Sequence, residues 1–377
     1  NAAHREGSLS DADFTSVLQA EVDGVVKRQA EIGLDIVNDG EYGHAMLDTV
    51  DYGAWWTYSF SRFGGLSFEN SGGFELRPPA GRDGRLAFSS FAERRDWQRF
   101  ADAYGDPESG IQIVSDNKVV FPAIVDELTY IGAEAVERDI AGVKHALEAV
   151  GKPVSDGFVA AISPGSAARV GNAFYEDDEA VVWACADVLR EEYKRITDAG
   201  LTVQIDAPDI AEGWDQMNPE PSVEDYRAFS RVRIDALNHA LEGIDPDLVR
   251  FHVCWGSWHG PHTTDIPFKD IVDLALLVNA NGLTFEAANA RHAHEWTIWR
   301  DTPLPEGKYL IPGVVSHSTN VVEHPELVAQ RIRQFADIVG DERVVASTDC
   351  GLGGRIYPSI AWAKLEALAE GARLASK

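Results

Sequence analysis

Seven short apolar runs recur along the chain, each bounded by turn residues and separated from the next by room for a helix. Leu34–Val37 leads into Asn38-Asp39-Gly40, and Gly157–Ile162 ends in Ser163-Pro164-Gly165. Leu201–Ile205 follows Asp198-Ala199-Gly200, and Leu248–Cys254 follows Asp245-Pro246-Asp247. Leu283–Phe285 follows Asn281-Gly282, Tyr309–Val315 follows Pro305-Glu306-Gly307, and Arg343–Ala346 follows Gly340-Asp341-Glu342. Apolar runs of this length between Gly, Pro, Asn and Asp read as strands. Between them, Asp177–Ala199 opens on tandem acids, repeats apolar residues at helical spacing and stops at Gly200. Ser222–Leu241 opens on a good N-cap, with Asp225 standing where a capping box has Glu or Gln. Ile266–Val278, Pro325–Val339 and Ile360–Leu374 read as further helices.

The runs are apolar without clean alternation, which means strands buried on both faces, in a parallel sheet covered by helices. No G-x-G-x-x-G or Walker loop opens any helix, so an open doubly wound sheet loses its main support. The expected fold is an α/β (β/α)8 TIM barrel whose first strand precedes Asn1. The chain has 377 residues. That suits one catalytic barrel of ~250 residues plus insertions. One insertion breaks the rhythm: about 51–117 is rich in Gly, Trp, Phe and Arg, includes Trp55 and Trp56, and reads as a hairpin-like lid. The lid's aromatics also suit burial against a second subunit in a homo-oligomer.

Charge narrows the partners. Lys and Arg number 33 against 61 Asp and Glu, a formal net charge of −28. Nucleic acid would be repelled by that field. No apolar run approaches the ~18 residues of a membrane span. Three cysteines make no disulfide framework, which points to a reducing cytoplasm. The expected partners are therefore small molecules.

Chemistry in a barrel occurs at the C-terminal ends of its strands. Here those ends carry Asp39 and Glu41, Ser163 and Ser166, Asp206, His252 and Cys254, Glu286, Ser316 to Ser318, and Asp349 with Cys350. His252 and Cys254, two apart on one strand, face the same way. Glu286 and Cys350 arrive from other strands, so the four are candidates to converge on one metal. Two thiolates, an imidazole and a carboxylate favour zinc. Such a site binds a substrate thiol and lowers its pKa to give a nucleophile. Taken singly, Cys254 and Cys350 also suit small buried hydrophobes and His252 a core histidine. Cys185, on the apolar face of a helix, reads as core.

These residues resemble the C-terminal catalytic domain of cobalamin-independent methionine synthase. The resemblance runs in order through 29–41, Gln204-Ile205-Asp206, His252-x-Cys254, Phe285-Glu286 and Asp349-Cys350-Gly351-Leu352. It implies a zinc-dependent barrel that alkylates a thiol, with His252, Cys254, Glu286 and Cys350 as the zinc ligands. Glu41 and Asp206 match the acids that hold the ammonium of homocysteine. The family includes epoxyalkane:coenzyme M transferases, in which a zinc-bound thiol opens an epoxide. This chain departs from the synthase pattern at Gly313-Val-Val-Ser-His-Ser318, where the synthases have Gly-Val-x-Asp-x-His. The loop from Trp255 to His262 is also richer in Trp and His, as in the small single-domain relatives.

The reading expected from sequence is thus zinc-dependent alkyl transfer from a small alkyl donor to a thiol, most simply methyl transfer to homocysteine. His259, His262 and His317 are candidate proton donors to the leaving atom. Trp55, Trp56 and Trp255 are candidates to contact substrate, as are the turn amides and hydroxyls of Ser163 and Ser166 for an anionic group. Epoxide opening by coenzyme M is the alternative. Further off stand a redox-metal lyase or oxidase on the same barrel and a non-enzymatic zinc-storage protein.

Overall fold

The computed structural model describes residues 2–5, 7–44, 53–68, 86–89, 91–111 and 122–377. Ten strands occur among them. In chain order they are β1 (Val37–Asn38), β2 (Phe63–Ser67), β3 (Ala123–Tyr130), β4 (Gly157–Ile162), β5 (Gly171–Asn172), β6 (Thr202–Asp206), β7 (Val249–Val253), β8 (Gly282–Phe285), β9 (Tyr309–Val315) and β10 (Ser347–Thr348). Seven form one sheet in the order β1-β4-β6-β7-β8-β9-β10, every neighbour parallel. This is the curled α/β sheet of a barrel. Six of the seven expected runs overlap a strand of this sheet, and the seventh, Arg343–Ala346, ends just before β10. The first and last pair a few residues later than expected, although Val344 still bridges Leu310. The eighth strand, expected before Asn1, is not among the described residues, so β1 and β10 are the edges. β7 is buried at all five positions and β8 at all four. Both faces are covered, as their unbroken apolar character requires.

Helices fill the crossovers. Asp178–Asp198 is capped by Asp177, whose carboxylate accepts from Ala180 N at 2.9 Å. It buries Val181, Val182, Cys185, Val188 and Leu189, so Cys185 is core. Val223–Ala240 starts as expected: Ser222 Oγ accepts from Asp225 N at 3.1 Å and donates to the Asp225 carboxylate at 2.6 Å. Pro325–Val339 and Pro358–Ala375 complete the expected set.

The helix expected over 266–278 is a correction. Only a 3-10 turn at Phe268–Asp270 and one turn at Val272–Ala275 form. Side chains from elsewhere bind the segment, and of the backbone groups they take only Asp270 O would have a partner inside such a helix. Phe268 N donates to Glu295 at 2.7 Å, Arg227 donates to Asp270 O at 2.6 Å, and Asn238 donates to Leu277 O at 2.9 Å.

Part of the inserted region packs outside the barrel. A helix at Gly53–Phe60 precedes β2. β2 pairs antiparallel with β3, beyond the expected end of the insertion, and β3 pairs parallel with β5. The side chains of Trp55 and Trp56 lie outside the described residues. Glu192, buried on the Asp178–Asp198 helix, clasps this sheet to the barrel. It accepts from Arg62 Nε at 3.0 Å, Tyr130 OH at 2.8 Å and the Tyr58 hydroxyl. Breaking a buried ion pair typically costs about 3–5 kcal/mol because one charge is left behind. Arg62 keeps Asp139 at 3.3 Å. Glu192→Ala is therefore expected to cost about 3 kcal/mol, the low end of that range, in denaturant unfolding.

Candidate metal centre

β7 builds the centre. Its period of two puts His252 and Cys254 on one side of the strand, and Cys350 arrives just past the end of β10. The donor atoms of His252, Cys254 and Cys350 all lie within 4.8 Å of one another. The two sulfurs are 3.9 Å apart. A tetrahedral metal with S bonds of about 2.3 Å places two sulfurs about 3.8 Å apart. Their separation is that of two ligands on one ion. His252 is 4% exposed, and its buried Nε2 makes no hydrogen bond. Its Nδ1 faces Thr284 Oγ1 at 3.4 Å, the kind of outer partner that fixes the ring of a metal ligand. An orphaned buried nitrogen beside two thiols fits a soft, borderline cation such as zinc.

The fourth expected ligand does not join this group. Glu286 is drawn aside, accepting from Trp255 N at 2.8 Å and from Asn289 Nδ2 at 2.7 Å. Asp349, which is fully buried, accepts from Ala287 N and Ala288 N, both at 2.7 Å.

Burial and proximity set the charges. Of the two thiols Cys350 ionises first. A hydrogen bond from Cys254 holds it well below the usual thiol range, helped by His252 and the charge of Arg355. The same contact, with burial, pushes Cys254 up. Burial opposes the His252 imidazolium, but Cys350, Asp206 and Glu286 outweigh it and hold the group up to about 9. Burial pushes Glu286 to about 8 and Asp206 to about 7, the latter also repelled by Glu41 and Cys350. Among the described residues no Lys or Arg pairs with Asp206; its one hydrogen bond is from Gln204 Nε2 at 3.1 Å. Glu41 sits at the rim in a left-handed conformation, φ 57, its carboxylate 3.6 Å from His44 Nδ1.

Several expected substrate contacts are occupied by the protein itself. Ser163 and Ser166 bind an anion, but it is Asp209: both hydroxyls donate to one of its oxygens at 2.6 Å. Trp255 is 1% exposed, its indole N–H on Ile266 O at 2.8 Å and its ring edge-on to Phe268. It is core beneath the centre, not a substrate face. His262 is also committed. Its Nδ1 lies 3.3 Å from Asp265 and its Nε2 3.1 Å from Trp258 O, both acceptors, and the ring stacks on Trp258. His317 is buried, and burial drives it down to about 3, so it is neutral at pH 7. His259 is half-buried with Nε2 3.3 Å from His317 O. The sequence reading did not find Thr284, Asn289, Arg355 or the structural role of Asp349. Only Asp349, adjacent to Cys350, carried a signal there.

The fold and donor set define an α/β barrel protein with a candidate metal centre at its strand ends. Residues 107–373 match the catalytic domain of the cobalamin-independent synthases, and the chain belongs to that family. It is 29% identical over 171 residues to 2-hydroxypropyl-CoM lyase of Xanthobacter autotrophicus, covering 39% of this chain and 45% of that protein. It is 25% identical over 206 residues to a methionine synthase of Saccharolobus islandicus, covering 54% and 53%. The chain thus spans about half the length of these relatives. The 5-methyltetrahydropteroyltriglutamate–homocysteine methyltransferase of Nitrosomonas europaea is 23% identical over 366 residues, 95% of this chain and 38% of that protein. A B12-independent methionine synthase from Shewanella sp. W3-18-1, solved with selenomethionine, matches in fold. Its TM-score is 0.67 at 17% identity, over 98% of this chain and 90% of its own. No helix among the described residues is long and apolar enough to cross a membrane.

Asp206 makes a pH prediction for the metal-free protein. Its folded pKa of about 7 lies above the ordinary 3.8, so the folded state keeps a proton that the unfolded chain gives up. Wild type should therefore lose stability relative to Asp206→Asn as pH rises from about 4 to about 7. Full burial would make the loss larger, but Asp206 retains some contact with water, so about 1–2 kcal/mol is expected. Parallel unfolding curves of the two proteins across that window would contradict it.

Proposed function

We propose that this protein alkylates a small thiol at zinc held by His252, Cys254 and Cys350, with homocysteine as the thiol and methyl as the group transferred. The observation that carries the reading is the three-donor group with two close thiols, set beside a recessed acid that no Lys or Arg pairs with among the described residues. When bound, zinc supplies Lewis acidity that holds a substrate thiol as the thiolate at neutral pH. The chain's own residues do the rest. Thr284 orients His252, and Gly256 N donates to Cys254 Sγ at 3.2 Å. Glu286, held by Trp255 N and Asn289, is the candidate fourth and exchangeable ligand. Asp206, with Glu41, takes the ammonium of an amino-acid thiol, which relieves the cost of ionising Asp206 in its buried setting. His259 is left to pass a proton to the leaving atom, since His262 is committed at both nitrogens and His317 is enclosed.

A second reading is epoxide opening by coenzyme M, favoured by the segment that is 29% identical to 2-hydroxypropyl-CoM lyase. A sulfonate in place of an ammonium would be repelled by Asp206 and Glu41, so the thiol used separates the readings. Zinc-edge absorption and proton release on adding each thiol make the measurement. Homocysteine is expected to add a sulfur to the zinc shell and release a proton, and coenzyme M to do neither. Asp206→Asn should weaken homocysteine binding at least ~10-fold, the loss of one charge-assisted contact worth about 1.5–3 kcal/mol. A response to coenzyme M alone would transfer the assignment to epoxide opening.

The metal is tested separately. Cys254→Ser and Cys350→Ser should each lose most bound zinc by elemental analysis, and Cys185→Ser should retain it. Full zinc content in both of the first two variants, or iron in place of zinc in the wild type, would overturn the zinc reading.

A further inference from the structure

The aromatic insertion reaches the metal centre through one buried acid. Asp96, 1% exposed, lies in a short helix at Arg95–Arg99. One of its oxygens accepts from Thr263 N and Thr263 Oγ1, both at 2.8 Å. The other accepts from His262 N at 3.0 Å and Tyr104 OH at 2.9 Å. All four donors are used to hold one carboxylate, two of them from the backbone of the loop that follows β7. His262 adopts φ 53 there, a left-handed conformation costly for a residue with a side chain. Asp96 holds its N–H in place.

The contacts continue inward. Tyr104 OH also accepts from Trp258 Nε1 at 2.9 Å. The Trp258 ring lies against Gly256 so closely that a Cβ at Gly256 would fall 1.8 Å from it, and Gly256 has φ +96. Only glycine fits on both counts. Gly256 N–H in turn donates to Cys254 Sγ at 3.2 Å. Arg94, two residues before Asp96, has its guanidinium 4.7 Å over the Trp258 ring and pairs with Glu212. Glu212 N donates to Cys254 O at 3.1 Å. Two routes therefore run from the insertion to Cys254, one ending on its sulfur and one on its carbonyl.

We infer that Asp96 is a positioning residue for Cys254, acting through Tyr104, Trp258 and Gly256, so that the insertion helps to fix the geometry of the metal centre. This rests on the reading of His252, Cys254 and Cys350 as metal ligands. Outer partners of this kind typically change metal affinity 10- to 100-fold when lost.

The test uses the full chain loaded with Co(II), reading the thiolate-to-cobalt absorption and the rate of metal loss to a chelator. Wild type, Asp96→Asn, Tyr104→Phe, Tyr130→Phe and Cys254→Ser are compared. Asp96→Asn replaces an acceptor by a donor, and Tyr104→Phe removes only a hydroxyl, so the second decides if the first does not fold. Both are expected to retain cobalt, shift its absorption and release it about 10-fold faster or more. Tyr130→Phe loosens the insertion's other attachment, at Glu192, and should match wild type. Cys254→Ser should lose thiolate absorption; if it does not, or if wild type binds no cobalt, the ligand assignment falls. If Cys254→Ser behaves as expected while Asp96→Asn and Tyr104→Phe match wild type, only the positioning role is overturned. Equal acceleration by Tyr130→Phe would also overturn it, since general loosening would then explain the effect.

Discussion

Cys350 reaches Cys254 because Gly313 has no side chain. A Cβ at Gly313 on β9 would lie 2.4 Å from both Cα and Oδ1 of Asp349. The empty space lets the end of β10 press against β9, with Asp349 N bonded to Val315 O at 2.9 Å. Asp349 then turns its carboxylate onto Ala287 N and Ala288 N, just beyond β8. Asn289 spans Asp349 and Glu286 at 3.3 and 2.7 Å. One absent side chain thus ties the ends of β8, β9 and β10 into a unit that carries Cys350, and β7 completes the set from the facing side. Strand curl brings these ends together, but the close approach at Gly313 sets the separation of the sulfurs.

The loops around that unit neutralise their own charges. His292 lies between two carboxylates, Glu295 at 2.8 Å and Asp265 at 3.1 Å, and His262 lies between Asp265 and a carbonyl. With acceptors at both nitrogens, each ring donates twice and is an imidazolium. Hydrogen bonds to its carboxylate partners hold His292 up to about 10 against burial. The chain His262–Asp265–His292–Glu295 binds the loop after β7 to the loop after β8. Arg94, Arg169, Glu212 and Asp215 make a second such group under the insertion. Against this background Asp206 stands out, as an acid recessed at a strand end whose carboxylate is hydrogen-bonded by an amide and faces the imidazole of His252 rather than a Lys or Arg.

The strand pattern and the motif His252-x-Cys254 were legible in the sequence because both obey local periodicity. Buried strands show as apolar runs, and two residues at i and i+2 share a face in any strand. The convergence of Cys350 followed from barrel topology. What was not legible depended on partners distant in the chain. The 266–278 segment has helical composition, yet it forms a single α-turn at Val272–Ala275, with Arg227 on Asp270 O and with Glu295 and Asn238 on groups near its two ends. Ser163 and Ser166 have the turn chemistry of an anion site, and the sequence does not show that Asp209, 43 residues beyond Ser166, fills it. Glu286 stands at the expected strand end, but its direction is set by Asn289 and the N–H of Trp255. Asp96 is one of several acids in an aromatic stretch, and nothing local marks it among them.

These differences separate two layers of the site. The donor set comes from strand ends, whose positions any closed parallel sheet of this kind reproduces. The setting of those donors comes from loops and from the insertion, which barrels vary freely. A family with one donor set and several thiols or alkyl donors is what this division allows. Here the loop from Trp255 to Asp265 is locked on three sides: by Asp96 and Tyr104 from the insertion, by Arg355, which donates to Ser257 O at 2.8 Å, and by His292 on Asp265. A loop held so closely does not move aside to admit substrate. On the proposed reading the thiol instead enters past Glu41 and Asp206, on the side of β1 and β6. On the same reading, acids on that side favour a small cationic thiol over an anionic one, because a sulfonate beside Asp206 and Glu41 meets like charge.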